Sequence, residues 1–483
     1  MRGTSWVALC LGLGLWLVGC ADDEDDGCTP GTFEGCDDGR VCEVILGEDE
    51  PACVLPVELH GHVFDALDEA AIEGASVVAL DANGSARSGV AFTDEEGDFA
   101  LRVAVDRSGP EGTPVAEQIV LRVAAQGYEW FAKPPRTALP VDIAAAVEEE
   151  LEDGRSVLVV AGPETEVALV PLPGGGDGLV TVSGHVDDGD GEFVDDDDLD
   201  VGGVLVLAEQ GGAAVSTAAS GGDGAFVLFN VPKAATTLRG VRAGLVVAPE
   251  QLTPDGDVDG VVLEATGGEL RTVTGSVEFA NAPGDATTSV ILVDIATFDP
   301  DRVTGEAPAG LRAAGVKGAF AIEEVPPGRY AVLAAFENDG LVRDPDETIG
   351  GTDVVTIDVP EGDGETALPK GFKVTGALDV VSPGASGTDV VTAARPVFTW
   401  ADDSSEEGYE LRVYDVFGEL VLEETDLERV TGDATVSYTW DAAGATPGLI
   451  YQFRVLSFHI EKDGSRSYIA ATEDLRGVFR WLP

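Results

Sequence analysis

The stretch Thr93-Asp94-Glu95-Glu96-Gly97-Asp98-Phe99-Ala100-Leu101-Arg102-Val103-Ala104-Val105 decides how this chain folds. Phe99, Leu101, Val103 and Val105 recur at every second position, the period of a half-buried strand whose side chains point alternately to core and solvent. Thr93, Asp94 and Gly97 just before it mark a tight turn, because Asp bonds its own backbone and Gly takes positive φ without steric cost. Ala75 to Leu80 carries the same alternation upstream, so the segment reads as two half-buried strands joined through a tight turn.

The pattern spreads outward and repeats. The first unit runs Gly61-x-Val63, Gly74-Ala75-x-Val77, then Gly97-x-Phe99-x-Leu101. A second has Gly184-His185-Val186, Gly203-Val204 and Gly224-x-Phe226-x-Leu228. A third has Gly275-Ser276-Val277, Gly318-x-Phe320-x-Ile322 and Pro326-Pro327-Gly328-x-Tyr330. Self-similarity of this kind signals tandem domains. The units resemble the carboxypeptidase regulatory-like domain, which implies a transthyretin-like or prealbumin-like β-sandwich without catalytic residues, despite the name. Val141 to Gly154, rich in glutamate, fits a short helix and a solvated loop equally.

Aromatic residues rise in the C-terminal part. Trp400, the alternating Tyr409, Leu411 and Val413, and Pro447-Gly448-x-x-Tyr451-x-Phe453-x-Val455 resemble a fibronectin type III domain. The resemblance implies a core tryptophan and a tyrosine corner pinning two strands.

The N-terminus is an export signal: Arg2, an apolar run from Ser5 to Val18, and small Gly19. Leu17-Val18-Gly19-Cys20 resembles the lipobox of bacterial lipoproteins, which implies acylation of Cys20 and cleavage before it. Several acyl chains on one residue hold a protein stably at a membrane. Ala21 follows the cysteine where an aspartate would favour inner-membrane retention, so the resemblance implies the outer membrane. The chain as a whole resembles carboxypeptidase regulatory-like lipoproteins of myxobacteria and related Gram-negative bacteria.

Cys28, Cys36, Cys42 and Cys53 then form an even set with gaps of seven, five and ten residues. Exported chains oxidise such sets, giving two disulfides with three connectivities open, whereas a zinc site would need closer CxxC-like pairs. The stretch is too small for a core of its own, so the bridges hold it as a stiff spacer.

The sequence-based architecture is therefore all-β: tandem transthyretin/prealbumin-like and immunoglobulin-like β-sandwiches after a small disulfide-rich module. Residues 1–19 are the signal peptide, 20–27 an acidic lipidated tether and 28–53 the disulfide-rich module. Sandwiches follow over 54–177, 178–268 and 269–371, with a fibronectin-like unit over 372–483, strung out as a rod.

With 89 acidic against 28 basic residues, the 483-residue chain has a formal charge of −61. Such a field repels phosphates, which excludes a nucleic-acid partner. No nucleophile elbow, HExxH helix, Walker loop or dinucleotide fingerprint occurs. His60, His62, His185 and His459 are scattered; His60 and His62 share a strand face, but the same Gly-His-Val at His185 has no second histidine, which favours a strand residue over a ligand. Carboxylate pairs suited to glycoside hydrolysis arise by chance in so acidic a chain. The reading is a non-catalytic, lipid-anchored envelope protein that binds or adheres, to a glycan or a protein ligand. A structural spacer is the alternative, and a hydrolase is a distant third.

One loop invites a cofactor. In Asp187 to Asp200, Asp188, Asp190 and Glu192 match the first three ligand places of an EF-hand-like loop, but Phe193 stands where glycine is needed and the closing glutamate is missing. Asp190-Gly191, Asp195 and Asp198 resemble the calcium loop of B-type repeats in Gram-positive serine-aspartate adhesins, with one extra residue before Asp195. Calcium binding and a solvated acidic loop are both open.

Overall fold

The computed structural model describes residues 28–483 apart from 49, 83, 110, 116, 134–137, 152–153, 189–200, 269, 281, 283, 301–302, 335–339, 344–353, 404–405 and 431–433. The described chain is all-β, its strands arranged in face-to-face sheets.

The three repeats share one topology. In the first, Val57–Asp65 is central, with Asp98–Val103 antiparallel on one side and Ser156–Val160 then Glu166–Leu169 parallel on the other. Leu179–Asp187 lies likewise between Ala225–Pro232 and Val258–Gly267. Arg271–Ala280 lies between Ala319–Val325 and the parallel Gly364–Ala367 and Phe372–Gly376. The opposing sheets centre on the antiparallel pairs Gln118–Ala124 with Ser76–Leu80, Leu205–Gln210 with Thr236–Val241, and Thr288–Asp294 with Gly328–Ala334. Each sandwich buries the alternate residues of its strands, as in Leu59, Phe99 and Val123 of the first.

The repeated glycines have a common cause. Gly61 pairs with Phe99, Gly184 with Phe226 and Gly275 with Phe320. A Cβ on these glycines would lie 2.7, 2.9 and 2.6 Å from the Cζ of the facing ring. The bare strand lets the ring lie across it. One step on, the amides of Val63, Val186 and Val277 donate to the carbonyls of Gly97, Gly224 and Gly318 at 2.8, 2.9 and 2.8 Å, closing the same turn three times.

The last unit packs Val380–Ser382, Val397–Ala401 and Thr435–Thr439 against a sheet centred on Gly408–Asp415 and Ile450–Ile460. Trp400 is fully buried against Tyr409, edge to face at 5.6 Å. The tyrosine corner is present: the Tyr451 hydroxyl accepts from the Thr446 amide at 2.7 Å and donates to its carbonyl at 3.0 Å.

Three expectations change. Residues 141–154 are neither only a short helix nor only a loop: Ile143–Ala145 forms a single 3-10 turn, but Val147–Glu150 is an edge strand on Ser156–Val160, and its exposed glutamates guard an edge that would otherwise invite pairing. The third sandwich extends to Gly376, because Phe372–Gly376 completes its first sheet. The units also do not follow in single file. Arg312 of the third sandwich pairs with Asp81 of the first, and Ile450 and Val478 of the last join the core of the first. Burying those apolar side chains favours a gathered arrangement over a rod.

Candidate functional site

The disulfides are Cys28–Cys42 and Cys36–Cys53, an interlaced pair. Val41–Glu43 and Ala52–Val54 pair in register, with Cys42 opposite Cys53. Val41, Ile45 and Val54 form a small apolar cluster. The module is docked rather than free. Ile45–Leu46 adds in parallel to Arg107–Ser108 of the first sandwich, and the fully buried Arg107 pairs with Glu43 while donating to Leu55 O at 2.8 Å and Gly112 O at 3.2 Å. Burial pushes the Glu43 carboxyl above its ordinary range even with Arg107 opposing the shift. The Sγ atoms of Cys28, Cys36 and Cys53 lie close together, but all three are in disulfides, so they offer no thiolate to a metal.

Cys20 and the candidate calcium ligands Asp190, Glu192, Asp195 and Asp198 lie outside the described residues. Asp188 is described, half-buried just past the end of Leu179–Asp187. The histidines are tied to separate partners: His60 Nε2 lies 3.0 Å from Glu58 Oε2, and His62 Nδ1 lies 2.9 Å from Asp98 Oδ1. Sharing a strand face has not brought them to one centre.

What the sequence reading missed lies at the seams. Asn230 of the second sandwich plugs a turn of the first, accepting from Gly127 N at 2.7 Å and donating to Ala125 O and Tyr128 O at 3.0 and 2.9 Å. Arg239 grips the buried Asp294 through two bonds of 3.0 and 3.2 Å, joining the second sandwich to the third. Arg122 sits mid-strand in the apolar Gln118–Ala124 and is only 8% exposed. It reaches Thr217 of the second sandwich and Glu306 of the third. An arginine inside an apolar strand was the available signal, since a buried guanidinium needs partners that its own sheet cannot supply.

Beside Arg122 the first, third and fourth sandwiches line a half-open recess of about 550 Å³. Leu80, Val120, Ile291, Leu333, Leu456 and Leu475 give it apolar walls, and Arg122, Arg412, Arg454 and Gln452 add polar groups. The Arg122 guanidinium stacks on Trp130 at 5.2 Å. A mostly apolar hollow at a domain junction with a few converging polar groups is the usual form of a small-molecule site. No helix among the described residues is long and apolar enough to cross a membrane.

No family model and no curated protein matches this chain. Among solved structures it is similar to the TIE protein of Bacillus anthracis at 10% identity, over 85% of this chain and 68% of that one, with a TM-score of 0.16. It is also similar to the major pilin subunit of Bacillus cereus at 12% identity, over 65% of this chain and all of that one, with a TM-score of 0.18. A catechol 1,2-dioxygenase from Acinetobacter matches at 18% identity over 27% of this chain, which spans 57% of that enzyme, with a TM-score of 0.18.

Proposed function

We propose that this chain is a non-catalytic surface protein, held in the outer membrane by lipid on Cys20, that acts in binding or adhesion, with glycans as a ligand class. The observation that carries this reading is the gathering of three sandwiches around one recess. A spacer needs only end-to-end contacts, whereas a binder gains from loops and walls of several domains brought together. A glycan array and a pull-down with the soluble chain from Ala21 to Pro483 test it. Saturable capture of one glycan class or one surface protein supports the reading; no capture from either leaves the spacer in its place.

The acidic stretch from Asp187 to Asp200 enters the same proposal as a calcium loop. Carboxylates within about 5 Å repel each other by roughly 1 kcal/mol per pair even in water, and a divalent ion relieves that repulsion. Calcium then raises the melting temperature more than magnesium does, and Asp188→Asn with Asp190→Asn removes the response. Equal shifts from calcium, magnesium and matched sodium would identify a solvated acidic surface.

A further inference from the structure

We infer that the recess between the first, third and fourth sandwiches is a binding site for an uncharged small molecule with a flat apolar body and a carbonyl or hydroxyl acceptor. The size fits: 300–1,000 Å³ is the span of cavities that enclose such ligands, and this one measures about 550 Å³. The body is set by the walls. Leu80, Val120, Ile291 and Leu333 offer aliphatic surface, and the Trp130 ring adds a flat one.

The acceptor is set by Arg122. Its hydrogen bonds to Thr217 and Glu306 all leave from Nη2, and among the described residues its buried Nε has no partner. A guanidinium carries five N–H donors, and one that is nine-tenths buried gains from an acceptor that water cannot easily supply.

The absence of net charge follows from the pairing. Arg122 lies 3.3 Å from Glu306, Arg454 lies 2.7 Å from Asp474, and Arg412 pairs with Glu410 and, at 3.2 Å, with Glu423. The arginines therefore offer direction without surplus positive charge. An anion would also have to approach through the field of a chain at −61. This site rests on the same recess that supports the binding reading, with a small-molecule occupant named for it; capture of a glycan or surface protein without probe binding overturns this site alone, and probe binding without capture overturns the adhesion reading alone.

The test uses the full chain and three probes of one shape: naphthalene, acetylnaphthalene with a neutral carbonyl, and naphthoate with a charge. Binding is followed by saturation-transfer NMR and by quenching of tryptophan fluorescence. Acetylnaphthalene is expected to bind about threefold to tenfold tighter than naphthalene, the worth of one net hydrogen bond, and naphthoate more weakly than acetylnaphthalene. Leu80→Trp and Ala471→Phe fill the recess from two different sandwiches at half-buried positions, and each should abolish binding with little change in melting temperature. If one variant fails to fold, the other decides. No binding of any probe, binding that survives the filled recess, or a preference for naphthoate would overturn the inference.

Discussion

The Phe99 ring lies across Gly61 on the neighbouring strand, and the same pair recurs as Phe226 on Gly184 and Phe320 on Gly275. The spacing Gly-x-Val and Gly-x-Phe is thus one contact written twice along the chain: a strand stripped of its side chain so that an aromatic ring can cover it.

This contact predicts a ranking. An added Cβ at Gly184 would lie 2.0 Å from the carbonyl oxygen of Val261, and at Gly61 2.2 Å from that of Thr165, whereas at Gly275 the nearest atoms are the ends of Leu368 and Phe320. Backbone yields less than side-chain tips. Gly184→Ala and Gly61→Ala should each cost about 2–3 kcal/mol and Gly275→Ala about 1 kcal/mol, within the usual range for overpacking. Urea unfolding checks the order, and a larger loss at Gly275 would refute it.

The disulfide module should show bridges 28–42 and 36–53 by peptide mapping, with no alkylation before reduction. Loops closed over separations of 14 and 17 residues are each worth about 3 kcal/mol. Arg107→Leu should be costly in a different way. It strands the buried Glu43, a loss of about 3–5 kcal/mol, and should release the module to proteolysis while the sandwiches stay folded.

Stability should rise on mild acidification. Burial raises the carboxyls of Glu43, Glu117 and Glu406 above their ordinary 4.5, so the folded state holds protons that the unfolded chain releases. That contribution is complete below the unfolded value and is lost as pH climbs through the raised folded values. Falling self-repulsion acts in the same direction. The melting temperature should be higher near pH 5 than at pH 8, as read by calorimetry; a steady rise toward pH 8 would contradict this.

The proposed anchor is the lipid on Cys20. Cys20→Ala should move the protein from the membrane to the soluble fraction, and an alkyne fatty acid should label the wild type only. Membrane retention of the variant together with an unlabelled wild type would refute lipidation.

The sandwiches and their turns were legible because alternation, Asp-Gly turns and the Gly–Phe spacing are local signals. The tyrosine corner at Tyr451 and the buried Trp400 were legible for the same reason. The seams were not. Asn230 reads as an ordinary strand residue until the turn at Gly127 comes to meet it, and Asp81 gives no sign that Arg312 will be its partner. Those contacts join residues about a hundred or more positions apart, and no periodicity encodes them. The glutamates of Val147–Glu150 misled because their composition suits a helix, while pairing with Ser156–Val160 decided in favour of a strand.

Small-angle X-ray scattering of the soluble chain from Ala21 to Pro483 shows whether the sandwiches gather or form a line. Gathered sandwiches should give a radius of gyration not far above the roughly 23 Å expected for a compact chain of this length. A monomer with a value near twice that, and the linear cross-sectional decay of a rod, would contradict the account.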